Sequence, residues 1–274
     1  MRLLFHIHSL ASGGAERVTA TLANYWAFKG WSVIVVTVAG VDRDFYALDD
    51  RIERIALNLD GDSMTTLQAV LANVRRIRSL RAVLRKKKPD IAVAMMATAN
   101  ATLALAGWGL KLQTIGSERT FPPAMPLGRM WETLRQWTYP LLSGLVAQTS
   151  QSADWLKVHA AARRIAVIPN PLNYPLSVRE PKIVPKDFLR QYGTSHLLLA
   201  VGRLGKEKGF DRLLQTFSYL HTLYPDWALV ILGEGRQRDA LQAQAVSLEI
   251  EDRVRFPGAV GNVGQWFEAA DAYV

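Results

Sequence analysis

The chain of 274 residues has no cysteine, which excludes disulfides, thiolate metal sites and cysteine nucleophiles and fits a reducing compartment. It also lacks a long apolar run: no stretch reaches the roughly 18 residues that a membrane-spanning helix needs. The opening MRLLFHIHSLASGG is broken by His6 and His8 and reads as a buried strand, not a signal peptide. The five histidines, His6, His8, His159, His196 and His221, are scattered without metal-ligand spacing. Neither the G-x-G-x-x-G dinucleotide fingerprint nor the G-x-x-x-x-G-K-[ST] P-loop is present, which argues against a nicotinamide-dependent dehydrogenase. Acid is scarce relative to base. Lys and Arg number 33 against 24 Asp and Glu, a formal charge of +9, which suggests an anionic partner such as nucleic acid, acidic lipid or a phosphorylated substrate.

What is present is a globular alternation, with 49% hydrophobic and 21% charged residues. Apolar runs at 2–8, 31–38, 52–59, 90–96, 112–117, 144–149 and 164–168 read as strands. Amphipathic stretches at 15–29, 65–87, 98–109, 127–139 and 150–160 read as helices between them. Continuous apolar strands separated by helices predict a parallel sheet covered on both faces. Residues 169–186 then hold five prolines and read as part of a linker. After it the pattern restarts, with strands at 196–202, 227–232 and 253–256 and helices at 208–223, 235–248 and 262–270. The expectation is an α/β chain of two Rossmann-like, doubly wound domains: 1–173, a linker at 174–194, and 195–274. In such sheets ligands bind outside the carboxyl ends of the strands.

Two strand-to-helix turns carry phosphate-binding chemistry. In Ser12-Gly13-Gly14-Ala15-Glu16-Arg17 the paired glycines would let backbone amides and the helix dipole meet an anion. In Gly202-Arg203-Leu204-Gly205-Lys206-Glu207-Lys208-Gly209 a guanidinium fork and an ammonium could both meet a diphosphate. An ordinary tight turn and an ordinary solvated basic loop remain the competing readings. Gly233-Glu234-Gly235 follows the next strand, where backbone could pass close to a nucleotide base.

These pieces, together with Ile168-Pro169-Asn170-Pro171, resemble in order and spacing the family 4 retaining glycosyltransferases of the GT-B fold. The resemblance runs through the whole chain and is greatest to bacterial enzymes that extend lipid-linked oligosaccharides. It implies two Rossmann-like domains facing a cleft, with Gly13, Gly14, Arg17, Asn170, Gly202, Glu234 and Gly235 binding substrate. Arg203 and Lys208 would hold the diphosphate of a nucleotide-sugar, a UDP-sugar by analogy, and stabilise the leaving nucleotide without a metal or other cofactor. Many relatives place a histidine against the donor sugar after a first-domain strand. Here Arg119 stands at or beside that place, and Glu118 or Arg119 is expected to touch substrate, both being candidate catalytic residues. The acceptor implied is a lipid-pyrophosphate-linked glycan or lipopolysaccharide, met at the inner face of the plasma membrane by a cytoplasmic, peripheral enzyme.

Between residues 75 and 88 lie eight Lys and Arg and no acid. Arg75, Arg78, Arg81 and Arg85 recur at helical spacing and form a stripe, with Leu67, Val70, Val74, Ile77, Leu80 and Leu84 on a neighbouring face. Such a helix suits an anionic membrane surface or an acceptor pyrophosphate, and a helix with Trp131 and Trp137 could sit at the same interface. A nucleic-acid-binding protein is the competing class, but no recognition module accompanies the basic helix, and no nucleic acid is expected. Asp42-Arg43-Asp44 and Asp60-Gly61-Asp62 match the D-x-D pattern of metal-dependent glycosyltransferases, which two restarted α/β domains disfavour. The family's paired glutamates, spaced E-x7-E, would follow the strand after Asp271, whereas the sequence ends at Val274. The second domain is therefore expected to be incomplete, and the alternative function is an incomplete fragment that binds anionic lipid.

Overall fold

The computed structural model describes residues 1–61, 65–162, 164–172, 174–176, 178–190 and 193–274. Two compact units divide at Pro171/Leu172. The first contains β1 (Arg2–Ile7), α1 (Gly14–Phe28), β2 (Ser32–Thr37), β3 (Glu53–Ala56), α2 (Thr66–Lys87), β4 (Ile91–Met95), α3 (Ala97–Gly107), β5 (Gln113–Ser117), α4 (Arg129–Thr138), β6 (Gly144–Ala147), α5 (Ser150–His159) and β7 (Ile165–Val167). Its sheet runs β3-β2-β1-β4-β5-β6-β7, parallel throughout. The order reverses between β1 and β4, which marks the crevice position of a doubly wound sheet.

The strand side chains alternate between two cores, as the period of two requires. Leu3, Phe5 and Ile7 of β1 and Val33 and Val35 of β2 pack with Val18, Ala23 and Ala27 of α1. Leu4, Ile34 and Val36 face the other way and meet Leu80 and Leu84 of α2 and Leu103 and Ala106 of α3. Burial on both faces is why these strands read as unbroken apolar runs.

The second unit contains α6 (Pro185–Arg190), β8 (His196–Val201), α7 (Phe210–Leu220), β9 (Trp227–Leu232), α8 (Arg238–Ser247), β10 (Val254–Gly258), α9 (Val263–Ala269) and β11 (Ala272–Tyr273). Its sheet order is β10-β9-β8-β11, again parallel. Ala200, Leu229 and Ile231 pack under α7 and α8; Leu197, Leu199, Val230 and Leu232 pack against Trp266 of α9 on the opposite face.

Of the stretch expected to be a linker, 174–194, the described residues 178–190 fold onto this second unit instead. Ile183 N donates to Asn262 Oδ1 (3.2 Å) and Asn262 Nδ2 returns a bond to Ile183 O (2.9 Å). Phe188 meets Trp266 edge-on at 5.6 Å. The prolines keep regular structure here to the short α6, which begins at Pro185, and the apolar residues of the segment find a sheet face to cover.

A second difference concerns α2. Thr65 caps its start by accepting from Gln68 N at 3.2 Å, and Lys88, left-handed at φ 47, ends it before Pro89. Its 22 residues span about 33 Å, whereas the 5-residue β4 beside it spans about 17 Å. The helix therefore overshoots the sheet at the carboxyl edge. Leu80 and Leu84 are buried, but Leu67 (70%), Val70, Leu71 and Val74 are exposed rather than covered. Among the described residues no helix is long and apolar enough to cross a membrane.

Candidate functional site

On the first unit, the carboxyl edge begins with the turn after β1. Gly13 is the extended N-cap of α1 (φ −164°), and a Cβ added there would stand 2.2 Å from the Glu16 carboxylate, which folds back over the helix start. At Gly14 no described atom lies within 4 Å of an added Cβ. Packing does not demand that glycine, and the space over it is open to a ligand. Arg17, in the first turn of α1, is exposed. Nearby His8 is held below its usual pKa by burial and by Arg76.

The exit of β5 separates the two residues expected to touch substrate. Glu118 is 1% exposed and turns inward: Tyr139 Oη donates to its Oε2, and Arg135 Nη2 stands 3.8 Å from its Oε1. Burial raises its carboxyl, opposed by the Tyr139 bond and the Arg135 charge. The expectation that Glu118 contacts substrate is corrected, because an enclosed side chain already engaged by protein partners cannot reach a ligand. Arg119 points the other way. Its Nη1 donates to Ser117 Oγ at 3.3 Å, while Nε and Nη2 are buried with no hydrogen-bond partner among the described residues. Burial lowers its pKa. A guanidinium left this short of acceptors is poised for an anion.

The α2 stripe divides. Arg81 Nη1 donates to Ala106 O (2.8 Å) and Trp108 O (2.7 Å), which satisfies carbonyls at the end of α3. Arg81 is thus a structural cap and leaves the expected anion-binding set. Arg75, Arg78 and Arg85 are exposed and have no partner among the described residues. Asn170, at the end of the first unit, is exposed and accepts from Gln148 Nε2 at 2.8 Å.

On the second unit the structure gathers Gly202, Arg203, Lys208, Glu234 and Gly235 into one floor. The loops after β8, β9 and β10 are stitched by backbone bonds, Gly202 N to Leu232 O, Leu204 N to Glu234 O and Gly233 N to Gly258 O, each 2.9 Å. Only glycine permits this approach: a Cβ at Gly233 (φ +138°) would lie 1.9 Å from Gly202 O, and one at Gly235 2.3 Å from Leu204 O. The Lys208 stem lies over Gly202, 3.5 Å from where a Cβ would be. Arg203 and Lys208 are exposed, with no partner among the described residues. Glu234 is not free: its Oε1 pairs with Arg238 Nη1 at 3.0 Å, and Arg238 Nη2 donates to Phe256 O. Gly258 escaped the sequence reading because its partner Gly233 comes from another loop, and Arg238 because its reach to Phe256 O depends on the fold.

Of the two acidic triplets, Asp44 is held bidentately by Arg54 (2.8 and 2.9 Å) and Asp60 by Arg43 (3.1 Å). Asp62 lies outside the described residues. Among the described residues no three His, Asp or Glu side chains gather at a possible metal site.

Comparison with known proteins agrees with this geometry. The profile of Glycosyltransferase Family 4 matches residues 12–174, and that of Glycosyl transferases group 1 matches 186–274. A Campylobacter jejuni enzyme, GalNAc-alpha-(1->4)-GalNAc-alpha-(1->3)-diNAcBac-PP-undecaprenol alpha-1,4-N-acetyl-D-galactosaminyltransferase, is 28% identical over 98% of this chain and 71% of its own length. The lipopolysaccharide core biosynthesis glycosyltransferase LpsD of Rhizobium meliloti is 24% identical over 99% of this chain and 70% of its own. Anabaena HepE, solved in complex with UDP-glucose, superposes with a TM-score of 0.72 at 18% identity, covering 100% of this chain and 73% of that one. The GT-B fold expected from the sequence is the fold observed. The chain belongs to glycosyltransferase family 4 and is a transferase of that class.

Proposed function

We propose that this glycosyltransferase moves a sugar from a UDP-sugar, with retention of configuration, onto a lipid-pyrophosphate-linked glycan or lipopolysaccharide acceptor. The observation that carries the donor assignment is the Arg203–Lys208 pair, exposed and unpaired on a glycine-packed floor. Sugar transfer breaks the bond to the nucleoside diphosphate, and negative charge grows on the departing phosphate. Two fixed cations there stabilise the transition state more than the ground state. They supply charge that a divalent ion supplies in other transferases, so no metal cofactor is expected. The UDP-glucose bound by Anabaena HepE supports the nucleotide class.

The acceptor side belongs to the first unit, where Gly14 leaves open space and Arg119 has unused donors. The names of the Campylobacter and Rhizobium relatives support a pyrophosphate-linked or lipopolysaccharide acceptor. Such acceptors are anchored in a bilayer. Exposed Leu67, Val70, Leu71 and Val74 beside Arg75 and Arg78 form an apolar and basic surface suited to anionic lipid, and α4 separately exposes Met130 and Trp137. The reading is of a peripheral enzyme at the cytoplasmic face of the plasma membrane.

Calorimetric titration with UDP tests the donor site without needing the acceptor. Arg203→Ala should weaken UDP binding about 10- to 150-fold, the worth of a charge-assisted hydrogen bond, and Lys208→Ala should weaken it in the same direction. Unchanged affinity in both variants would remove the donor assignment.

A further inference from the structure

The exit of β5 is held by a buried ring of hydrogen bonds that donor binding does not use. Ser117 N donates to Asn100 Oδ1 (3.0 Å), Asn100 Nδ2 donates to Tyr139 Oη (3.1 Å), and Tyr139 Oη donates to Glu118 Oε2. The peptide bond from Ser117 to Glu118 closes the ring. Asn100, Tyr139 and Glu118 are each at most 2% exposed. Every group is used in its proper sense: the amide oxygen faces an N–H, the amide nitrogen faces a hydroxyl, and the hydroxyl proton is left for the carboxylate. Further backbone bonds pin the strand exit at Ser117 and Glu118, Met96 N to Ser117 O (2.9 Å) and Glu118 N to Val146 O (2.8 Å).

The ring has a directional consequence. Side chains alternate along extended chain, so anchoring Glu118 into the core sends Ser117 and Arg119 to the opposite side. The Arg119–Ser117 bond there confirms that sense. Unrestrained, an arginine carries its head into water. Here two of its donor atoms stay enclosed and unpaired, a costly arrangement that the anchored backbone enforces.

We propose that Glu118, Tyr139 and Asn100 are positioning residues, which hold the partly exposed Arg119 side chain beside the acceptor, where a small turn of the guanidinium brings its unpaired donors to a phosphate or pyrophosphate oxygen. The inference rests on the reading of Arg119 as the acceptor's anion ligand, and it assigns roles to three side chains that never touch substrate. Tyr139→Phe keeps the ring in the core but removes the hydroxyl that joins Asn100 to Glu118. Glu118→Gln keeps an acceptor oxygen for that hydroxyl.

The test is calorimetric titration with inorganic pyrophosphate in an Arg203→Ala, Lys208→Ala background, which silences the second unit. Arg119→Gln should weaken pyrophosphate binding about tenfold or more. Tyr139→Phe should weaken it about fivefold or more, and Glu118→Gln should restore most of the affinity that Glu118→Ala loses. With Arg203 and Lys208 intact, Tyr139→Phe should leave UDP affinity within about twofold, since a general structural defect would lower both affinities. Equal loss of UDP and pyrophosphate binding would overturn the positioning role. So would wild-type pyrophosphate affinity in Tyr139→Phe and Glu118→Ala when Arg119→Gln has lost it. Full affinity in Arg119→Gln would instead overturn the reading of Arg119 itself.

Discussion

Replacing arginines along α2 should separate two roles that the sequence presents as one stripe. Arg75, Arg78 and Arg85 are exposed and free of partners among the described residues. Near an anionic membrane each is worth about 1 kcal/mol, so the triple change to Gln should remove about 3 kcal/mol, or roughly 150-fold in partitioning. Its effect on folding should stay within about 0.5 kcal/mol, as for other surface substitutions. Arg81→Gln should behave in the opposite way. That side chain donates to two carbonyls at the end of α3, at 2.7 and 2.8 Å, where a cation also meets the negative end of the helix dipole. Because the group is only partly enclosed, the loss should be about 1–2 kcal/mol of stability, with vesicle affinity lowered by less than about tenfold. Cosedimentation with phosphatidylglycerol-containing vesicles at low and high salt measures the first quantity, and urea midpoints measure the second. Binding that is as sensitive to Arg81 as to the other three together would refute the division. So would a triple variant that binds normally at low salt, where such attraction is strongest.

Three other outcomes follow from named residues. His6 is buried, with Nδ1 donating to Val36 O (3.2 Å) and Nε2 without a partner among the described residues, and its pKa falls from 6.5 to about 4. The unfolded chain takes up the proton first, so stability is full above about pH 6.5 and drops by about 3 kcal/mol as pH falls to about 4. His6→Leu should flatten that slope in urea titrations, and an identical slope in the variant would count against the assignment; the raised Glu118 carboxyl acts in the opposite sense and is common to both proteins. Gly233→Ala places a Cβ 1.9 Å from Gly202 O at φ +138°. It should cost about 2 kcal/mol or more and weaken UDP binding by displacing the loop of Arg203, both readable from thermal melts and titration. Gly14→Ala meets no described atom within 4 Å and should leave the melting temperature equal or slightly higher. Its pyrophosphate affinity should fall about threefold or more because the open space above the turn is filled, a split that vanishes if no ligand approaches there.

Much of this architecture was legible because it rests on local patterns. Strands such as 32–37 are buried on both faces and announce themselves as apolar runs; the cap at Thr65 and the stop at Lys88-Pro89 bound α2; glycine is required at Gly233 and Gly235, where the loop after β9 crosses the loop after β8. The Arg203 and Lys208 turn also stood out, since residues five apart on one loop are brought together by that loop alone. What tertiary structure decided depends on partners distant in sequence. Glu118 and Arg119 are adjacent and equally polar, yet a hydroxyl 21 residues on takes one into the core and leaves the other its free donors. Arg81 looks like Arg78 until α3 presents carbonyls 25 and 27 residues away. The segment 178–190 reads as irregular but covers a sheet face, and the single apolar face read from Leu67 to Leu84 divides, because the start of α2 overshoots a shorter sheet. Periodicity states which side chains share a face; only packing states what, if anything, that face meets.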